Sequence, residues 1–192
     1  MRDREDDSSL PLARQFRFDA GSAGLNLLAT RGFRRSASPV ERLTSAQRLC
    51  DWLAASELPA VTADDAGLGA ARELREAAYA VLAPGGHATA ADVGLLGRWS
   101  ARPLPGPGLR LRPGGGVAWR EPAPSLDDVL TALARELADC AVDRPERLRS
   151  CEADTCGMLY LDESRGHRRR WCSMARCGNA AKVAAYRARA GR

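Results

Sequence analysis

Apolar positions recur at helical spacing along most of the chain. Between Leu43 and Leu53, the residues Leu43, Ala46, Leu49, Cys50 and Leu53 fall on one helix face. Thr44 is placed to cap this helix, with Gln47 three residues on as in a capping box. A second helix is expected over Leu68 to Leu82, with Leu68, Ala71, Leu74, Ala78 and Val81 along one stripe. Pro84-Gly85-Gly86 stops it. Thr89 to Trp99 fits a third, with Thr89 as its cap. Leu126 to Val142, capped by Ser125, turns Leu126, Val129, Leu130, Leu133, Leu137 and Cys140 inward. The apolar stretch Ala23 to Thr30 opens an earlier helix, and Arg31 to Arg35 reads as a basic loop. Leu109 to Arg112 and Val117 to Arg120 alternate around Pro113-Gly114-Gly115-Gly116, the pattern of a β-hairpin.

The expected architecture is therefore mainly α with a small β-hairpin. Residues 1–14 are charged and form an arm, 15–143 a helical domain, and 144–192 a tail that begins at the joint Arg144-Pro145-Glu146. A core the size of the helical domain can fold alone. The tail holds too little apolar material to do so without a staple. No run of 18 apolar residues occurs, which excludes a transmembrane helix. The charged N-terminus lacks an apolar signal core, so a cytoplasmic location is expected.

Charge separates the same regions. Residues 144–192 carry 12 Lys and Arg against 5 Asp and Glu, whereas residues 1–143 carry 17 against 19. A basic tail is the pattern of a segment that meets a polyanion. Lys182 is the one lysine among 29 basic residues. With many alanines, that bias also fits a GC-rich coding sequence.

Four of the six cysteines lie in this tail, as Cys151-x4-Cys156-x15-Cys172-x4-Cys177. Two pairs across a hairpin-length spacer can converge on one tetrahedral ion, and zinc favours four thiolates in closed structural sites. Metal binding would then supply folding energy the missing core cannot. Arg168, Arg169, Arg170 and Arg176 flank the site and would offset its charge. Two disulfides, or four unrelated core cysteines, are the competing readings. Cys50 and Cys140 sit on apolar stripes and read as packing. His167 lies in a turn near the cluster. Met158 to Leu161 suits a strand, Asp162 to Gly166 a turn, Arg168 to Trp171 a returning strand, and Gly178 to Ala190 a helix with Cys177 at its start. That order describes a small treble-clef-like finger.

The run from Cys151 through Asp162, Ser164, Arg169, Arg170, Trp171, Cys172, Ser173, Met174, Cys177, Gly178, Asn179 and Lys182 resembles the CGNR-type zinc finger. The preceding 150 residues resemble the ABATE domain usually fused to it, through Leu25 to Thr30, the Leu43 to Leu53 segment with Trp52, and Arg72-x-Leu74-Arg75. The resemblance implies a bacterial regulator of transcription in a stress response, with one structural zinc. One position departs: the signature has arginine where this chain has Ala180. If that arginine contacts phosphate, one contact is lost, and Arg176 or Lys182 would have to compensate.

Asn179, Lys182, Tyr186 and Arg189 share one face of the expected terminal helix, while Val183 and Ala184 are placed to face the hairpin. Asn179, Lys182 and Arg189, with Arg168, Arg169, Arg170 and Arg176, form the candidate nucleic-acid surface, for which double-stranded DNA is the expected partner. Asn179 and Arg189 can also read base edges. The plainer reading is a solvated basic helix beside arginines that balance the zinc site. A protein-interaction adaptor without nucleic-acid binding is the alternative function. No catalytic set emerges: the histidines are His87 and His167, and neither a phosphate loop nor a nucleophile elbow is present. Asn26, Arg72 and Arg75 are polar positions on apolar helices that could line a pocket for a small effector, or simply bond loops and neighbouring carboxylates. The helical domain could equally form a homodimer.

Overall fold

The structure is a computed structural model that describes residues 7, 10–11, 13–85 and 87–190. Its first part contains α1 (Ala23–Leu28), a short hairpin of β1 (Arg31–Gly32) and β2 (Val40–Glu41), then α2 (Ala46–Ala55), α3 (Asp65–Leu82) and α4 (Ala90–Ser100). The hairpin of β3 (Gly108–Leu111) and β4 (Val117–Arg120) follows, then α5 (Leu126–Val142). Each of these helices starts at a side chain able to accept a backbone N–H: Ser22, Ser45, Asp64, Thr89 and Ser125. Thr89 with Asp92, and Ser125 with Asp128, close full capping boxes.

The cap of α2 differs from expectation. Ser45, not Thr44, accepts from the Arg48 N–H, and Gln47 bonds Asp51 one turn on. Starting the helix there leaves Leu43 ahead of it, wholly buried, with its carbonyl free to accept from Arg72. The arm expected over 1–14 lies largely outside the described residues. Asp7 is described, and its carboxylate accepts from the Phe16 N–H and from Arg48.

α3, α4 and α5 pack on one another, α1 lies against α5 and α3, and α2 leans on α3. The β3–β4 hairpin stands apart from this core. Leu109 pairs with Trp119 and Leu111 with Val117, all four on one exposed face.

The tail contains β5 (Leu148–Ser150), β6 (Leu159–Leu161), a π-helical turn (Met174–Gly178) and α6 (Asn179–Ala190). Its hairpin is not the expected one. β6 pairs with β5, Leu148 opposite Leu161, and residues 168–171 form no strand. The other edge of β6 is occupied, since Leu161 donates to the Ala20 carbonyl at 2.8 Å. One backbone bond, from the Glu152 N–H to the Arg170 carbonyl, and several side-chain bonds hold the returning segment instead. Buried Asp162 accepts from the Arg169 N–H, and the Tyr160 hydroxyl donates to the Arg169 carbonyl. Cys151, Cys156, Met158 and all of β6 join one continuous core with the helical domain. Among the described residues, no helix is long and apolar enough to cross a membrane.

Candidate zinc centre and nucleic-acid interface

The knuckle between β5 and β6 and the π-helical turn present the four tail cysteines to one point. The sulfurs of Cys151, Cys156, Cys172 and Cys177 all lie within 4.8 Å of one another. Cys156 and Cys172 are 3.7 Å apart, and Cys172 and Cys177 3.5 Å. A tetrahedron with zinc–sulfur bonds of about 2.3 Å has edges of about 3.8 Å, so the donor set fits one zinc ion. All six cysteines of the chain are free of disulfides. His167 is exposed and does not belong to the cluster; its ring bonds the Asp162 carbonyl. Four protein thiolates fill a zinc coordination sphere and describe a structural centre.

Residues ahead of and within the helical domain bond the cysteines and the knuckle backbone of this centre. Arg17 Nη2 donates to Cys172 Sγ at 3.4 Å and to Asp19 at 2.7 Å. Burial alone would depress the Arg17 guanidinium, but the partners Asp19 and Cys172 outweigh it and raise its pKa. The Arg34 and Arg35 N–H groups donate to the carbonyls of Cys156 and Thr155, and the Arg35 side chain reaches Cys151 O and Ser150. Tyr79 donates to the Gly157 carbonyl at 2.7 Å. Gly157 sits at φ 67° with Arg34, Arg35 and Tyr79 so close that a Cβ would meet all three, which is a glycine position on both counts. The segment Arg31 to Arg35 is therefore the clamp on the zinc knuckle rather than a free basic loop.

The seven candidate nucleic-acid residues divide. A groove of about 800 Å³ between the 164–171 segment and α6 gathers Arg168, Arg169, Arg170 and Lys182. Arg168, Asn179, Lys182 and Arg189 are exposed. Arg169 is held inside the finger: it stacks on Tyr160 and donates to the carbonyls of Trp171, Cys172 and Asp19. Arg170 stacks on Trp171 and pairs with Glu152 at 2.6 Å. Arg176 lies on the opposite side, facing the helical domain. α6 buries none of its residues, and Val183 and Ala184 are exposed rather than packed on the hairpin.

Asn26, Arg72 and Arg75 do not meet in one pocket. Asn26 accepts from the Ala20 N–H. Arg72 and Arg75 line a cleft of about 640 Å³ shared with Glu41, Glu73 and Glu76. Arg72 donates twice to the Leu43 carbonyl. Arg75, only 2% exposed, donates to Glu41, Glu76 and Thr30. Burial would raise the carboxyls of Glu41 and Glu76, but hydrogen bonds and charge from Arg75 and Arg34 hold both below the usual range. These arginines tie α3 to the β1–β2 hairpin.

Two family descriptions match the chain. "Putative stress-induced transcription regulator" (ABATE) matches residues 21–144, and "CGNR zinc finger" matches residues 147–190. Both describe regulator and zinc-finger types, not enzymes. No curated protein matches the chain. With most of its length covered by the first and its four-cysteine centre by the second, the chain belongs to the ABATE family and ends in a CGNR zinc finger.

Proposed function

We propose that the chain regulates transcription by binding nucleic acid, duplex DNA first, through the outer face of its zinc finger. One observation carries this reading. α6 leaves the body of the finger with no buried residue and no acidic one; its exposed Lys182 lines a groove whose far wall bears Arg168, and its exposed Arg189 follows seven residues further along the helix. Cations so placed can neutralise phosphates and release counterions. Asn179 at the start of α6 is exposed and chemically suited to a base edge. Arg169 acts as a positioning residue, since its guanidinium is committed to three carbonyls. Arg170 would exchange Glu152 for a phosphate.

In this reading the helical domain holds the finger and receives the signal or partner, and the family description supplies the link to stress. The chain is not an enzyme, and it works in the cytoplasm. A titration of zinc-loaded protein with random duplex DNA, single-stranded DNA and RNA, at two salt concentrations, tests the reading. Salt-sensitive binding with preference for the duplex is expected; no binding to any polymer by folded, zinc-bound protein would refute it.

A second reading, the protein-interaction adaptor, is favoured by the β3–β4 hairpin. It exposes Leu109, Leu111, Val117 and Trp119 together, a larger apolar face than scattered surface residues account for. Adaptor binding would keep its affinity at a salt concentration that abolishes phosphate contacts.

A further inference from the structure

Between the finger and the helical domain lies a cavity of about 340 Å³. Among the described residues, four arginines line it, Arg17, Arg31, Arg42 and Arg176, together with the cluster cysteines Cys156 and Cys177 and no carboxylate. Two of the four are answered elsewhere. Arg17 bonds Asp19 and the Cys172 sulfur, and Arg31 pairs with Glu76 at 3.4 Å. The other two are not. Arg42 is 4% exposed and forms no ion pair among the described residues. Its Nη1 donates to the Ala29 carbonyl at 2.8 Å, and its buried Nε has no hydrogen-bond partner among the described residues. Arg176, half-buried, has neither an ion pair nor a side-chain hydrogen bond among the described residues.

Leaving guanidinium donors unfilled in a buried place is costly. Cys156 and Cys177 also line the cavity, and Cys156 lends Arg42 a favourable charge. Among the described residues, however, the one arginine hydrogen bond to the four sulfurs is that of Arg17 to Cys172, so no sulfur fills the Arg42 or Arg176 donors. The fold also keeps Arg42 where it is: its guanidinium lies against Gly32 so closely that any Cβ there would collide with it. Phe33, another wall residue, holds φ 51°, a conformation uncommon for a bulky side chain. Phe33 and Met158 make the apolar part of the wall, and Ala180 closes one side. Ala180 is the position at which the finger signature has arginine, so this chain leaves open a space that a long side chain would enter.

Paired guanidinium donors match a carboxylate or a phosphate. The volume is at the small end of ligand pockets, about 300–1,000 Å³. We propose that this cavity binds a small organic oxyanion, with its acidic group on Arg42 and Arg176 and its apolar part on Phe33 and Met158. Its walls come from both domains, so an occupant bridges the zinc finger and the helical domain and is the signal that sets how the finger is held. The site does not depend on nucleic-acid binding.

Calorimetric titration of the full zinc-loaded chain with phenyl phosphate and with benzoate tests the proposal and separates the two headgroups. Saturable one-to-one binding of either is expected, weakened about tenfold or more by Arg42→Gln. Because Arg42 also holds the Ala29 carbonyl, Ala180→Phe serves as a second variant. It fills the cavity from an exposed helix position and should abolish binding without loss of zinc. Absence of saturable binding by both anions, or equal affinity in Ala180→Phe, would overturn the proposal.

Discussion

β6 and α6 belong to the same small finger, yet every residue of β6 is buried and none of α6 is. The inner half is fixed twice, by the cysteine cluster and by packing on the helical domain. Leu161 bonds Ala20, and the knuckle carbonyls accept from Arg34, Arg35 and Tyr79. The outer half has no such support and carries cations where a packed helix would carry leucines. The difference shows how a tail with little apolar material of its own is held. Metal and a borrowed core hold one side, and the other side is left free to be occupied.

Variants on the two halves should differ in size of effect, and the largest belongs to the metal. Structural zinc contributes about 10–16 kcal/mol in finger peptides at neutral pH. Cys172→Ser should therefore lose stoichiometric zinc, read by metal analysis, and unfold the tail, read by circular dichroism. Because β6 shares the helical domain's core, the melting temperature of the remaining helices should fall as well. Unchanged zinc content would break the four-cysteine assignment.

Packing changes come next. Leu161→Ala on the inner half should cost about 2–5 kcal/mol in urea denaturation. Val183→Ala on the outer half should stay within about 0.5 kcal/mol. Similar losses at both positions would erase the contrast. Arg75→Met probes a buried cation of the helical domain. It strands Glu41, but that carboxylate is about one-third exposed, so about 2–3 kcal/mol is expected rather than the 3–5 of a wholly buried partner.

A smaller effect follows from pH. Glu41 and Glu76 titrate below their ordinary value of 4.5 in the folded chain. A depressed folded pKa adds stability that is present above the ordinary value and is lost as pH falls through the folded one. Melting temperature should decline as pH drops below about 4.5, and Glu41→Gln with Glu76→Gln should flatten that decline. An identical acid profile in the double variant would remove the two pairs from the account.

The helices and the zinc ligands were legible because their signals are local. Periodic leucines, cap residues such as Ser125, and a symmetric cysteine spacing need only neighbouring positions. What joins the domains was not. Arg17 meets Cys172 across 155 positions, and Arg35 meets Cys151 across 116, with nothing in either segment to announce the partner. The partner of β6 was not legible either, since its edges are taken by β5 and Ala20 rather than by the expected returning strand Arg168 to Trp171. The basic residues misled in another way. Arg168, Arg169, Arg170 and Arg176 look alike in sequence, but two are exposed, one of them paired with Glu152, while Arg169 is bonded to carbonyls and Arg176 faces the cavity. A run of arginines states charge, and only the fold sorts it into contacts.

If the unburied helix grips phosphate, the salt dependence of duplex binding reports it. Affinity of the zinc-loaded chain and of the Lys182→Ala, Arg189→Ala variant would be measured against a series of salt concentrations. Each lost phosphate contact lowers the slope of log affinity against log salt by about 0.9. The account predicts binding by both proteins, weaker at every sequence for the variant, with a slope shallower by about 2 and unchanged zinc content. The same slope and the same affinity in the variant would contradict it and take α6 out of the interface.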